Sequence, residues 1–451
     1  MSPLGISATE ARSASARELF SVAAPLSRSL EPCCDSDHAL SCVDVEVDPE
    51  VLLNEDDISI NGTFLLFSNS VPPHARVYKT EAGDEAVISY NSRTGSITGT
   101  LHTREGRAFA LERCGASYIW EEFDVPNFPE DNTEEVVEDE DDDDYDYDMP
   151  AITNSTMRQD QKSYSVMFYY TPEFAAATPN IEDFIDQVIA ETNQGYANSE
   201  IDITVTKLCA ELATISEATT AEADMLTAFR EMKGRGAAGR AALRNTADAA
   251  HLLVLRNSLY CGVAYCCNSW RSGWTMGITV KSCALGHYTF GHELGHNFGG
   301  HHDPKTDTNN MFSYGHGHLI AQGSSTNTRG FHTILAYGRA GHRVAVNYYS
   351  NPDVVYPGTG TPTGVAGTED NARVIRETFS SFAALGDESG SCSSSGGAGT
   401  GSGDSGEVTS PGYPSNYANN LDTSTPIQVQ YSTAYSTVQY THTGEGGTFS
   451  Q

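Results

Sequence analysis

Long apolar runs are missing from this 451-residue chain, and without a stretch of about 18 apolar residues no membrane-spanning helix is expected. Basic residues are scarce, 26 Lys and Arg against 60 Asp and Glu, and the formal charge of −34 argues against nucleic acid or an anionic membrane as the main partner. The opening residues, MSPLGISATEARSASARELF, lack the apolar core of a secretory signal. No Arg-x-(Lys/Arg)-Arg signal for an activating protease precedes residue 163. The cysteines lack the spacing of a four-thiolate zinc site: Cys209, Cys261, Cys266, Cys267 and Cys283 are better read as disulfide partners. With sequons at Asn61-Gly62-Thr63 and Asn154-Ser155-Thr156, they imply an extracellular protein whose leader lies upstream of the first residue given.

Five segments follow from composition. Residues 1–133 are β-rich, with short alternating runs from Val43 to Asp124 separated by Gly, Asn and Asp. Residues 134–159 form an acidic linker, expected to be disordered through self-repulsion; the run lacks the glycine turn and ligand spacing of a calcium loop. Residues 160–385 alternate strands and helices. Strands are expected at Ser163–Thr171, in IDITVTKL, in HLLVLRN and at Gly273–Val280; helices are expected at Ile181–Tyr196, Glu222–Ala250 and Asn371–Ala384. This is an α/β (α+β) domain with a mixed, twisted sheet. Residues 386–404 are a Gly/Ser linker, and 405–451 are too few to close a typical sandwich.

The chemistry is concentrated in TFGHELGHNFGGHHDP, Thr289 to Pro304. On a helix His292 and His296, at i and i+4, project from one face and can share a metal ion. Glu293 lies beside that face, placed to accept a proton from an activated water without becoming a ligand. Gly299 can take positive φ, end the helix and turn the chain back, so that His302 supplies a third nitrogen. The spacing selects His302 over His301, which is left to the rim or surface. Asp303 either orients a ligand histidine or stabilises the turn before Pro304. Three neutral nitrogens with an open fourth position suit one catalytic Zn2+.

These residues resemble the zinc motif of the metzincin metallopeptidases, most closely the reprolysin-like (adamalysin-like) branch. The resemblance extends upstream through YYTPE, IDQVIAETNQGYANSEI and AAHLLVL, and downstream through FHTILAYG, NYYSNPDVVY and PTGVAGTEDNARVI. It implies a zinc-dependent endopeptidase acting on proteins or peptides, with an active-site helix carrying the ligands and Glu293 as general base. The family's turn beneath the metal carries a methionine, whereas Leu335 stands there in this chain; the volumes are similar, so the exchange should cost about 1 kcal/mol or less. Tyr337 falls where some metzincins place a tyrosine that stabilises the tetrahedral intermediate, though a tyrosine merely packed in the turn reads the same way. The resemblance also puts GWTMGITV at the edge of the sheet, beside an extended substrate.

The N-terminal region resembles a propeptide. Cys114 could then block the metal as a latency thiol, or Cys33, Cys34, Cys42 and Cys114 could pair with one another. The tail VTSPGYPSNYANNLD resembles the opening of a CUB module, truncated at Gln451 and suited to extracellular matrix or protein contacts. The rival reading is an inactive extracellular binding protein that keeps the peptidase domain as a scaffold for that tail. The intact Glu293 argues against it.

Overall fold

The computed structural model describes residues 17–25, 34, 39–60, 63–129, 132–135, 162–266, 273–307, 311–320, 330–338 and 343–387. The chain forms two units, Met1–Ser394 and Ser395–Gln451. The second unit, and with it the CUB-like tail, lies outside the described residues, as do both sequon asparagines and the acidic run from residue 136 onward.

From Arg17 to Phe123 the chain builds a ten-stranded sheet. Its strands from Asp57–Ile60 to Ser117–Phe123 follow one another in sequence order as an antiparallel meander. Glycines with positive φ, such as Gly95 and Gly115, sit in its hairpin turns, where an L side chain would be strained. Alternation separates the two faces. Ile88, Ile97, Leu101, Leu111 and Trp120 enter one apolar core. Ser89, Thr98 and Thr100 are buried too, but on the face that meets the rest of the chain.

Six strands form the second sheet: β1 (Asn132–Glu135), β2 (Ser163–Tyr170), β3 (Thr204–Leu212), β4 (Ala249–Val254), β5 (Gly262–Cys266) and β6 (Met276–Val280). Their order is β1-β5-β6-β4-β2-β3. The pairs β6–β4, β4–β2 and β2–β3 are parallel, while β5 runs antiparallel to β6 and β1 runs parallel to β5. Burial on both faces explains the continuous apolar character of β4 and β6. Helix α1 (Ile181–Asn198) buries Phe184, Ile185, Val188 and Ile189 in the main core. After β6 come α2 (Lys281–Gly286) and α3 (Thr289–Asn297), and α4 (Asn371–Phe382) closes the domain. Phe382 of α4 stacks on Phe298, 4.1 Å between ring centres, at the end of α3.

Several expectations are corrected here. GWTMGITV is not the edge strand: β6 lies inside the sheet, next to β5, which forms in a segment not expected to be a strand, and β5 is itself covered by the edge strand β1. The single helix expected over Glu222–Ala250 is two, Met225–Glu231 and Gly236–Arg244, divided by Gly234 and Gly236 at φ of 120° and 68°. Glu134 and Glu135 begin the expected disordered linker yet pair as part of β1.

Candidate active site

The site begins with α3. His292 and His296 lie one turn apart and both are buried. The helix ends where Gly299, at φ 101°, donates its N–H to the His296 carbonyl, and Gly300 donates to the Gly295 carbonyl. The reversed chain then bridges to the segment around His316, with the His301 N–H on Gly315 O and the Gly317 N–H on His301 O. That return brings His302 back over the helix.

The three Nε2 atoms form a nearly equilateral triangle. His292 to His296 is 2.9 Å, His296 to His302 is 3.0 Å and His292 to His302 is 3.1 Å. His292 Nδ1 donates to Ile334 O at 2.6 Å and His296 Nδ1 to Gly300 O at 2.9 Å; a carbonyl can only accept, so the Nδ1 atoms carry the protons. Burial, followed by the neighbouring His296, holds His292 well below the ordinary imidazole value; burial and His302 do the same for His296, and burial and His292 for His302. Neutral rings with protonated Nδ1 aim lone pairs at one another across 2.9 Å, a repulsion that a shared cation converts into bonding. Zinc bound at about 2.0–2.1 Å to tetrahedral nitrogens would hold them roughly 3.2–3.4 Å apart, so the triangle needs only slight opening. Among the described residues no fourth His, Cys, Asp or Glu joins this group, which leaves a position for water or substrate.

Glu293, fully buried on the same helix, points its carboxylate at β5. Leu335 is also fully buried and occupies the space left by two glycines of the zinc motif: a Cβ on Gly295 would stand 2.7 Å from its Cδ1, and one on Gly300 2.9 Å. Tyr337 lies against the histidine triad, its ring centre 4.1 Å from that of His302 and its plane parallel to His292 at 6.2 Å.

Other expected residues fall elsewhere. Cys114 is held in a disulfide and is not available as a latency thiol; it clusters with Ile119, Cys34 and Cys42, the last two joined to each other. His301 is buried rather than at the rim, its Nδ1 2.9 Å from Asp307 Oδ2. Asp303 serves the turn, accepting from Lys305 N at 3.2 Å and Thr306 Oγ1 at 2.7 Å, and not from a ligand histidine. Sequence reasoning missed the Ile334 carbonyl, which fixes the His292 tautomer, because a backbone atom leaves no mark on residue type. It also missed Asn297, whose Nδ2 donates to Tyr265 O at 2.8 Å and Met276 O at 3.1 Å and ties the helix to β5 and β6 together. Its place beside His296 was the available signal.

Residues 160–355 match the metallo-peptidase family M12 domain, Reprolysin_5. The chain is 29% identical over 307 residues to the peptidyl-Asp metalloendopeptidase of Stenotrophomonas maltophilia (strain R551-3), covering 68% of this chain and 71% of that one. It is 35% identical over 208 residues to the protein of the same name from Xanthomonas campestris pv. campestris, covering 46% and 47%. With that from Pseudomonas fragi it shares 28% over 196 residues, 43% of this chain and 99% of the relative. The match over residues 160–355 takes in the triad, Glu293 and strands β2 to β6; that region is similar to the M12 peptidase domain, and the chain is a metalloendopeptidase.

Proposed function

We propose that this chain is a secreted, zinc-dependent metalloendopeptidase made as a zymogen, with Glu293 as general base and a preference for bonds next to aspartate. The observation that carries the reading is the triangle of Nε2 atoms closed to about 3 Å, with Glu293 on the same helix and its carboxylate against Gly262 of β5.

His292, His296 and His302 would hold the zinc. When bound, the ion supplies a Lewis acid that polarises the peptide carbonyl and acidifies water in the open position. Glu293 takes the proton of the attacking water and passes it to the leaving amine, a relay worth about 10²–10⁴-fold. The Tyr337 hydroxyl donates to the developing oxyanion from beside His302. The substrate lies extended along the outer edge of β5, held by backbone hydrogen bonds.

Two features support the zymogen. The outer edge of β5 is already covered by β1, a segment that follows the N-terminal sheet, with Asn132 opposite Val263 and Glu135 opposite Cys266. The N-terminal sheet meets α1 mainly through polar groups, which can return to water when the sheet leaves. Aspartate preference is taken from the relatives' names. If it holds here, the aspartate-rich run between the sheet and the peptidase domain is itself a substrate, which accounts for the missing basic activation signal.

The test is to incubate the full zinc-loaded chain with a mixed peptide library and sequence both the peptide products and the chain's own new termini. Cuts beside aspartate in both, absent from Glu293→Ala, are expected. Peptide cuts scattered over unrelated residues would remove the aspartate preference, and an intact chain that cuts peptides at full rate would remove the zymogen.

A further inference from the structure

We propose that Gly262 is a positioning residue for the reaction: its missing side chain lets the Glu293 carboxylate rest against β5, so that base and substrate strand share one register. The inference rests on reading Glu293 as the base and deepens that reading.

Gly262 opens β5 and pairs with Thr279 of β6. Its φ lies outside the left-handed region, so the backbone does not require glycine here, but the space does. A Cβ on Gly262 would stand 2.4 Å from Glu293 Oε1, 2.9 Å from Glu293 Cδ and 2.5 Å from Thr289 Cγ2, closer than real Cβ contacts allow. The carboxylate occupies the place where the next larger side chain would be.

The surrounding structure cannot yield cheaply. Cys261, next in the chain, is bonded to Cys283 of α2, and its carbonyl accepts from Val280 N at 2.9 Å. That fixes the start of β5. The far end of α3 is fixed by Asn297, whose amide binds the carbonyls of Tyr265 on β5 and Met276 on β6. Helix and strand are therefore registered at two points, Glu293 with Thr289 on Gly262 and Asn297 on Tyr265. A methyl at Gly262 would have to displace the carboxylate, and a shift of about 1 Å at a reacting group can cost about a hundredfold in rate. The outer side of the same strand takes up β1 from Val263 onward, which shows that an extended chain fits there.

The experiment uses the full zinc-loaded chain carrying Thr289→Ser, which removes the Thr289 methyl that would stand 2.5 Å from the new Cβ beside the carboxylate. Gly262→Ala, Glu293→Asp and the double variant are compared for metal content, thermal midpoint, kcat and KM. Gly262→Ala is expected to keep zinc, lower kcat about a hundredfold with KM changed less than about threefold, and lower the midpoint by several degrees. In the Glu293→Asp background, where the carboxylate is withdrawn by one methylene, the same change should cost about threefold or less and at most half the drop in midpoint. Equal penalties in both backgrounds, or an unchanged kcat, would overturn the proposal. If Gly262→Ala does not fold, recovery of folding in the double variant supports it and failure of both overturns it. Glu293→Ala is assayed alongside: full activity there would sink the role of Glu293 as base, while the coupling in midpoint would still judge Gly262.

Discussion

Two buried interfaces meet α1 and α3, and they are built on opposite principles. Between the N-terminal sheet and α1 polar contacts run beside a small apolar patch, where Val71, Ala75, Val77 and Val87 meet Ala190. Ser96 and Asn91 donate to Asp183, Ser89 to Gln187, Gln187 to the Val87 carbonyl, Thr100 to Glu191 and Asn69 to Gln194. Between α3 and the rest of the peptidase domain the fit is steric and apolar: Phe290 on Phe168 of the sheet, Leu335 of the later turn filling the gap at Gly295, Glu293 closing on Gly262, with Asn297 as the main polar tie. Polar groups that find partners in the interface find water when it opens, so such a contact can be stable and still separate. Glycine-to-side-chain contacts at van der Waals distance have no comparable alternative. The first interface is suited to leaving, the second to holding reacting groups in place.

That contrast can be sharpened by substitution. The largest effect is expected at Glu293: Glu293→Ala should keep its zinc and lose about 10²–10⁴-fold in kcat, read by metal analysis and peptide hydrolysis. Next come the two neighbouring histidines. His302→Ala should lose the metal, whereas His301→Ala, which gives up a contact to Asp307, should retain it.

Gln187→Ala removes partners of Ser89 and the Val87 carbonyl and should weaken docking of the N-terminal sheet by about 1–3 kcal/mol. Hydrogen exchange should rise over residues 75–102 and stay slow in β4 and β6; equal acceleration in both would break the comparison.

A smaller, pH-dependent effect follows from His251, which bonds Thr279 Oγ1 at 2.8 Å inside the sheet. Burial lowers it from 6.5 to about 3, so the unfolded chain takes up its proton first. Its stabilisation is therefore complete above about pH 6.5 and is lost as pH falls towards 3, at up to about 1.4 kcal/mol per pH unit. His251→Gln should flatten the acid limb of the thermal midpoint. Leu335→Met should change stability and rate least, by about 1 kcal/mol or less, since both side chains fill the same space.

The cluster of three histidines was legible because a helix, a glycine turn and three histidines leave a fixed spacing in the chain. The edge strand was not. Met276–Val280 and Gly262–Cys266 are both short, and order along the chain put the later one outermost, although MGITV, apolar on both faces, has the character of an internal parallel strand. The polar stripe of α1, Asp183, Gln187, Glu191 and Gln194, was equally opaque. Helical periodicity separates polar from apolar faces but cannot distinguish water from a sheet of serines and threonines. Cys114 shows the same limit, since a cysteine near a turn reads alike whether it meets a metal or another cysteine.

The central claim, that three histidines and Glu293 act as one hydrolytic centre, is tested most directly by measuring metal content and peptide hydrolysis together. The preparations needed are the full chain, Glu293→Ala and His302→Ala. One zinc and activity in the first, zinc without activity in the second, and neither in the third is the predicted result. Undiminished hydrolysis by Glu293→Ala, or by a metal-free His302→Ala, would contradict it.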